Sequence, residues 1–180
     1  MSFVIRRFSV NGFRKFRTPL VVDGLTNGLN IIIEPNETGK STLLDALRAA
    51  FFVRHNTSTQ LVKSYVPHGE AIGPEVSAEF ELNHVVWSLR KQFLKSKAIE
   101  LTGPQGRTHG EDAEVQLNTL LGSVRDTSRN GDTATHGALG LLWVAQTEAL
   151  AVSAPWVAVS PLRLVSLPYL HLTLPTNHSS

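Results

Sequence analysis

The stretch GLNIIIEPNETGKSTLLDALRAAFF, residues 28–52, passes from an apolar run through a proline- and glycine-bearing loop into an amphipathic segment. Asn27-Gly28 signals a turn, and Leu29-Asn30-Ile31-Ile32-Ile33 is a short, mainly apolar run of the kind found in a strand buried on both faces. Beyond the loop, Leu43, Leu47, Ala50 and Phe51 recur at helical spacing among good helix formers, which predicts a helix from Ser41 to about Val53 with one core-facing stripe. Between strand and helix, Glu34-Pro35-Asn36-Glu37-Thr38-Gly39-Lys40-Ser41-Thr42 follows the phosphate-loop pattern: a glycine, four residues, then Gly-Lys-Ser/Thr. Every fixed position matches except the first, where Glu34 stands in place of glycine.

The pattern has a physical reason. Successive backbone N–H groups and the positive end of the following helix must face a polyphosphate, and a lysine ammonium must reach its outer phosphates. Asn36, Glu37, Thr38 and Gly39 form the cradle, with Gly39 allowing close backbone approach, and Lys40 supplies the charge. Ser41 offers a hydroxyl to Mg²⁺, a hard cation that takes few protein ligands, and Thr42 can donate to a phosphate. A Gly-Lys-Ser-Thr tetrapeptide also arises by chance, but chance does not place a strand immediately before it and an amphipathic helix immediately after. ATP with Mg²⁺ is the expected ligand. Glu34 is expected to weaken it twice, through backbone angles that glycine tolerates better and through charge repulsion, by about 1–2 kcal/mol together.

On the N-terminal side, Phe3 to Val10 reads as a strand, Asn11-Gly12 as a hairpin turn, and Phe13 to Val22 as the returning strand. On the C-terminal side, Val76, Ala78, Phe80 and Leu82 alternate with Glu75, Ser77, Glu79 and Glu81, a half-buried strand whose glutamates share a solvated face. Val85, Trp87 and Leu89 continue the alternation after Asn83-His84, and Ala98 to Leu101 makes a third strand of an antiparallel meander. Glu111 to Leu121 reads as a helix stopped by Gly122, Ser123 to Gly137 as a loop, and Ala138 to Gln146 as a buried strand.

Composition sets outer limits. A length of 180 residues, 42% hydrophobic, suffices for one core, and a net charge of +2 is weak ground for an anionic partner. The absence of cysteine removes disulfides, thiolate zinc sites and cysteine nucleophiles from this sequence. No apolar run reaches the roughly 18–20 residues of a membrane span, so a soluble, cytoplasmic protein with no membrane partner is expected. The seven histidines form no metal-binding pair at helical spacing. Arg6, Arg7, Arg14, Lys15 and Arg17 are interleaved with Phe8, Phe13 and Phe16, a pattern that suits either a solvated hairpin face or a phosphate-bearing ligand.

NGFRKF at 11–16, followed by the stretch at 28–52, resembles the opening of the ATPase heads of SMC proteins and SbcC-type repair ATPases, and the resemblance extends over about Phe3 to Gln146. Those heads belong to the ABC class of P-loop ATPases with an AAA-type ATP-binding domain. The resemblance implies an α/β fold: a P-loop core sheet with an antiparallel β arm and flanking helices. It makes Arg14 and Lys15 second-tier nucleotide contacts and Gln146, at the end of LLWVAQ, a sensor of Mg²⁺ and the attacking water. It further implies a C-terminal lobe carrying a Leu-Ser-Gly-Gly signature and an Asp-Glu strand, a second head that sandwiches ATP, and contact with DNA through the assembled head. None of those C-terminal motifs is found in this sequence, so the chain is expected to be an N-terminal lobe only, hydrolysing ATP when a C-terminal lobe is supplied. The alternative is a truncated, non-catalytic fragment that binds nucleotide or protein. Residues 1–150 are expected to form the lobe and 151–180 a poorly structured tail not native to the family, with four prolines and Arg163 as its one charged side chain.

Overall fold

The computed structural model describes residues 2–35, 37–122 and 171–172. Strand β1 (Phe3–Asn11) opens the chain, followed by β2 (Leu20–Val22), β3 (Ile31–Ile32), helix α1 (Lys40–Phe52) and the short α2 (Gln60–Lys63). Then come β4 (Glu75–Leu82), β5 (Val85–Gln92), β6 (Ala98–Gly103), β7 (Gly106–His109) and helix α3 (Gly110–Leu121). A six-stranded sheet has the order β2-β1-β4-β5-β6-β7 with every neighbouring pair antiparallel. The fold is α/β, as expected, with the antiparallel sheet carrying helices on one face.

Alternation decides which face. Val76, Ala78, Phe80 and Leu82 of β4 point inward and are buried, while Glu79 is exposed and Glu75 and Glu81 lie outward, paired with Arg90 and Arg6 at 2.8 and 2.7 Å. α1 lies on the inward face and buries Leu43, Ala46, Ala49, Ala50 and Phe51, with Leu47 half-buried beside them. The Phe51 ring meets Phe3 and Phe80 edge-on at centroid distances of 5.5 and 5.4 Å. α3 packs beside it through Ala113, Leu117 and Leu121 and stops at Gly122, whose φ of 62° is the left-handed cap the sequence anticipated.

Two expectations are corrected. The Asn11-Gly12 turn is not a tight hairpin: β1 pairs with β2 at Val10 and Leu20, and residues 12–19 project between them as an arm tip. Burial of Phe13, stacked on Tyr65 at 4.4 Å, outweighs the local turn signal. The run before the phosphate loop is not buried on both faces, since Leu29, Ile31 and Ile33 are 55%, 37% and 45% exposed. β3 stands outside the large sheet, and its partner among the described residues is the parallel two-residue strand β8 (His171–Leu172). The expected loop at 123–137, the strand at 138–146 and the rest of the segment 151–180 lie outside the described residues.

Candidate functional site

β3 carries the chain into the phosphate loop and α1 leaves it. Gly39 is the N-cap of α1 at φ 116°, a conformation glycine adopts without penalty, and it offers no side chain to cap the helix. The hydrogen-bond ladder of α1 begins with Leu43 N–H donating to Gly39 O at 2.8 Å, so the N–H groups of Lys40, Ser41 and Thr42 precede it. No acidic residue lies in the first turn, so nothing in the helix itself offsets the positive end of its dipole. Glu37 is also left-handed, at φ 67°, and Thr38 Oγ1 donates to Pro35 O at 2.9 Å, which curls the loop back on itself.

Lys40 lies across this curl. Its Nζ donates to Glu34 O at 2.5 Å and to Pro35 O at 2.8 Å. Both partners are neutral carbonyls, which hold an ammonium less firmly than an oxyanion does. Ser41 is exposed, and Lys40 and Thr42 are half-buried. A loop with leading amides, no acid in the first turn of the helix and a lysine donating to two backbone carbonyls fits the donor set a polyphosphate requires.

The arm tip reaches this loop. A β-carbon built on Gly39 would stand 2.7 Å from Phe16 Cζ and 2.9 Å from Lys15 Cδ, so both side chains rest on the loop backbone. Arg14 NH1 pairs with Asp45 Oδ2 of α1, its backbone N–H donates to Tyr65 O, and its guanidinium carbon lies 5.8 Å from the Tyr65 ring centroid. The structure thus brings Lys15 against Gly39 of the loop holding Glu37, Thr38, Lys40, Ser41 and Thr42, and sets Arg14 on α1 at Asp45. Asn36 and Gln146 lie outside the described residues. The remaining arginines of the basic cluster are dispersed, Arg6 to Glu81 and Arg17 to Glu70 at 3.5 Å.

Sequence reasoning missed Asp45 as part of this neighbourhood, and it had Phe16 only as one aromatic of the basic cluster, not as a contact of Gly39. It also missed a buried polar cluster behind α1. Lys91 on β5 is 1% exposed and donates to Val53 O at 2.8 Å; Glu114 on α3 lies 3.4 Å from its Nζ and accepts from His55 N–H at 2.9 Å. His55 Nδ1 is 3.0 Å from the same carboxylate oxygen. Burial pulls the Lys91 ammonium below its ordinary range, and Glu114 partly offsets this. Burial works to raise Glu114, but Lys91 and the His55 contacts outweigh it and hold the carboxyl low. The signal available in the sequence was Lys91 itself, a charge at the inward position two residues beyond Leu89.

Among the described residues, no three His, Asp or Glu side chains are grouped to hold a metal, and no helix is long and apolar enough to cross a membrane.

Comparison with known proteins gives a family. The AAA domain family matches residues 7–130. An uncharacterised protein of Mycobacterium tuberculosis is 28% identical over 137 residues, covering 74% of this chain and 14% of its own length, and a Mycobacterium bovis protein matches equally. The chain therefore spans about a seventh of the curated relatives it matches. Among solved structures, the Smc head domain with a coiled coil and joint from Pyrococcus yayanosii is similar at TM-score 0.48 and 16% identity, covering 67% of this chain and 25% of that one. The recombination mediator protein RecF with ATP is similar at TM-score 0.47 and 18% identity, covering 63% of this chain and 30% of that one. With the family match running from the arm through the phosphate loop and the meander to beyond α3, the chain belongs to the AAA domain family and carries an ATPase-type domain.

Proposed function

We propose that this chain binds ATP with Mg²⁺ through its phosphate loop, as the N-terminal lobe of a chromosome-maintenance or DNA-repair type ATPase head. The observation that carries this reading is the start of α1: leading amides at Lys40, Ser41 and Thr42, no acid in the first turn, and a lysine bonded to neutral carbonyls. When ATP enters, Lys40 exchanges those carbonyls for the outer phosphates, a charge-assisted and stronger pairing. The Gly39–Thr42 amides and Thr38 line the triphosphate, with Asn36 and Glu37 completing the loop. Ser41 would hold Mg²⁺, with Gln146 as the further ligand and water sensor. Lys15 and Arg14 stand at the edge of the same site, Arg14 held there by Asp45.

Hydrolysis, on this reading, needs a C-terminal lobe supplying the signature and Walker B carboxylates, a second head across the nucleotide, and DNA acting through the assembled heads. Support comes from the family and from the exposed apolar side chains of Leu29, Ile31 and Ile33 beside β3, a surface suited to a further lobe. Residues 1–150 make up the lobe and 151–180 a tail, in a cytoplasmic protein.

The test is calorimetric titration of ATP with Mg²⁺ into the chain and into Lys40→Ala. Binding in the parent and none in the variant is expected. At a hundredfold excess over Kd the parent gains about 2.7 kcal/mol of stability, read as a higher Tm, and the variant gains none. An equal Tm rise in both proteins would remove Lys40 from the site.

A further inference from the structure

α1 is held at two ends by very different means. At its N-terminus stands the phosphate loop; along its length, three of its five buried residues are alanines, Ala46, Ala49 and Ala50. Alanines bring a helix close to a sheet but interlock with little, so axial register rests on Leu43, on Phe51 edge-on to Phe3 and Phe80 near the C-terminal end, and on what holds the helix exit. The C-terminal exit is pinned by polar contacts from outside the helix. α1 has no basic residue in its last turn, yet its negative end faces the Lys91 ammonium, which takes the Val53 carbonyl at 2.8 Å. The next two residues are gripped by α3: Arg54 NH2 by Glu111 at 2.5 Å, and His55 N–H by Glu114 at 2.9 Å. Glu114 in turn balances Lys91 at 3.4 Å. Three consecutive residues at the exit of the phosphate-loop helix are thus fixed by β5 and α3, and the central pair is buried to 1% and 2% exposure.

We infer that Lys91, backed by Glu114, is a positioning residue for the phosphate loop: by pinning the exit of α1 it fixes the axial register of that helix and so where Gly39 to Thr42 stand. Among the described residues, the polar partners of the pair are Val53 and His55 and none lies in the loop. An ion pair this deeply buried gains little net stability over an apolar replacement, which leaves the geometry it imposes as the role to test. Only the affinity arm of the test rests on the nucleotide-binding reading.

The experiment compares the parent with Lys91→Met and Lys91→Met/Glu114→Gln, using Leu101→Ala in β6 as a control that loses stability in the core away from α1. The double variant leaves no stranded buried charge and keeps an acceptor for His55 N–H, so it serves if the single variant does not fold. Backbone amide exchange is read under conditions where all proteins are folded and matched in global stability. The Leu43–Ala46 amides, at the far end of α1, are expected to exchange about tenfold faster in the Lys91 variants than in the control. The Kd for ATP with Mg²⁺ is expected to rise about fivefold, a coupling of ordinary size between separated sites. If faster exchange stops within Ala49–Phe52, Lys91 is a local cap and the inference fails. Faster exchange with unchanged affinity, in a parent that binds, also overturns it. A parent that binds no ATP defeats the nucleotide reading, and the exchange data still decide the positioning role.

Discussion

The ring of Phe16 closes over Gly39, its Cζ standing 2.7 Å from the point a β-carbon on that glycine would occupy. The arm tip and the phosphate loop are therefore in contact through backbone on one side and an aromatic edge on the other, with Lys15 Cδ in the same layer.

Gly39→Ala meets two penalties at once. The left-handed φ of 116° is strained for any side chain, and the new methyl collides with Phe16. A loss of about 1–3 kcal/mol in urea unfolding is expected. Gly24→Ala, at φ 70° with nothing within 4 Å, meets strain alone and should cost less. Equal losses would mean that the ring yields freely.

Arg14 and Asp45 tie the arm to α1, but with side chains 33% and 42% exposed the pair is open to water. A double-mutant cycle with Arg14→Gln and Asp45→Asn should give a coupling of about 0.2–1 kcal/mol, shrinking as salt is raised. A coupling of several kcal/mol, insensitive to salt, would contradict the exposure.

Glu34 is the one departure within the loop pattern, and its φ is not positive. Glycine's conformational freedom is therefore not called on at this position, which leaves repulsion of the triphosphate as the term that survives. Glu34→Gln should tighten ATP binding about as much as Glu34→Gly does, by up to about tenfold. The sequence had suggested a backbone contribution beside the repulsion, which a glutamine would not recover. Titration of the three proteins at fixed Mg²⁺ separates the cases: a large advantage of glycine over glutamine would restore the backbone explanation.

Glu114 carries an acid dependence of stability. Its folded pKa is held below the ordinary 4.5 by Lys91 and the His55 contacts, against the upward pull of burial. A carboxyl lowered on folding stabilises the fold above its unfolded pKa, and the contribution is lost as pH falls through the folded value. Urea midpoints should therefore drop below pH 4.5 more steeply in the parent than in Glu114→Gln. Parallel curves would show that the carboxylate is not stabilised by folding.

The parts legible in the sequence were those in which one periodicity ran unbroken. β4 alternates cleanly, β5 does so from Trp87 onward while Val85 and Val86 at its start are exposed, α1 and α3 repeat at helical spacing, and Gly122 marks a stop that local chemistry alone requires. β7, four residues reading Gly-Arg-Thr-His, has no apolar alternation and forms because β6 offers it an edge. The arm tip was misread because Phe13 is buried under Tyr65, far away in sequence. The loop and helix of the candidate site were legible from their pattern. The pairing of Arg14 with Asp45 was not, since the two residues are 31 positions apart. Lys91 lay at an inward position, but its partners Val53 and Glu114 are 38 and 23 residues away, so only the fold could show that a charge there is satisfied.

The strand order has a consequence in time. β4 to β7 are joined in sequence order by short turns, Asn83-His84 among them, and can pair as soon as they exist. β1 is synthesised first and has β2 as an early partner, but its other edge pairs with β4, as in Phe8 with Ala78, so that edge waits while the phosphate loop, α1 and α2 are made. Its closing onto the finished meander is the slow, long-range step, because the loop entropy of the whole intervening segment must be overcome at once. The phosphate loop lies inside that segment and reaches its final setting, with Phe16 over Gly39, only when β1 docks.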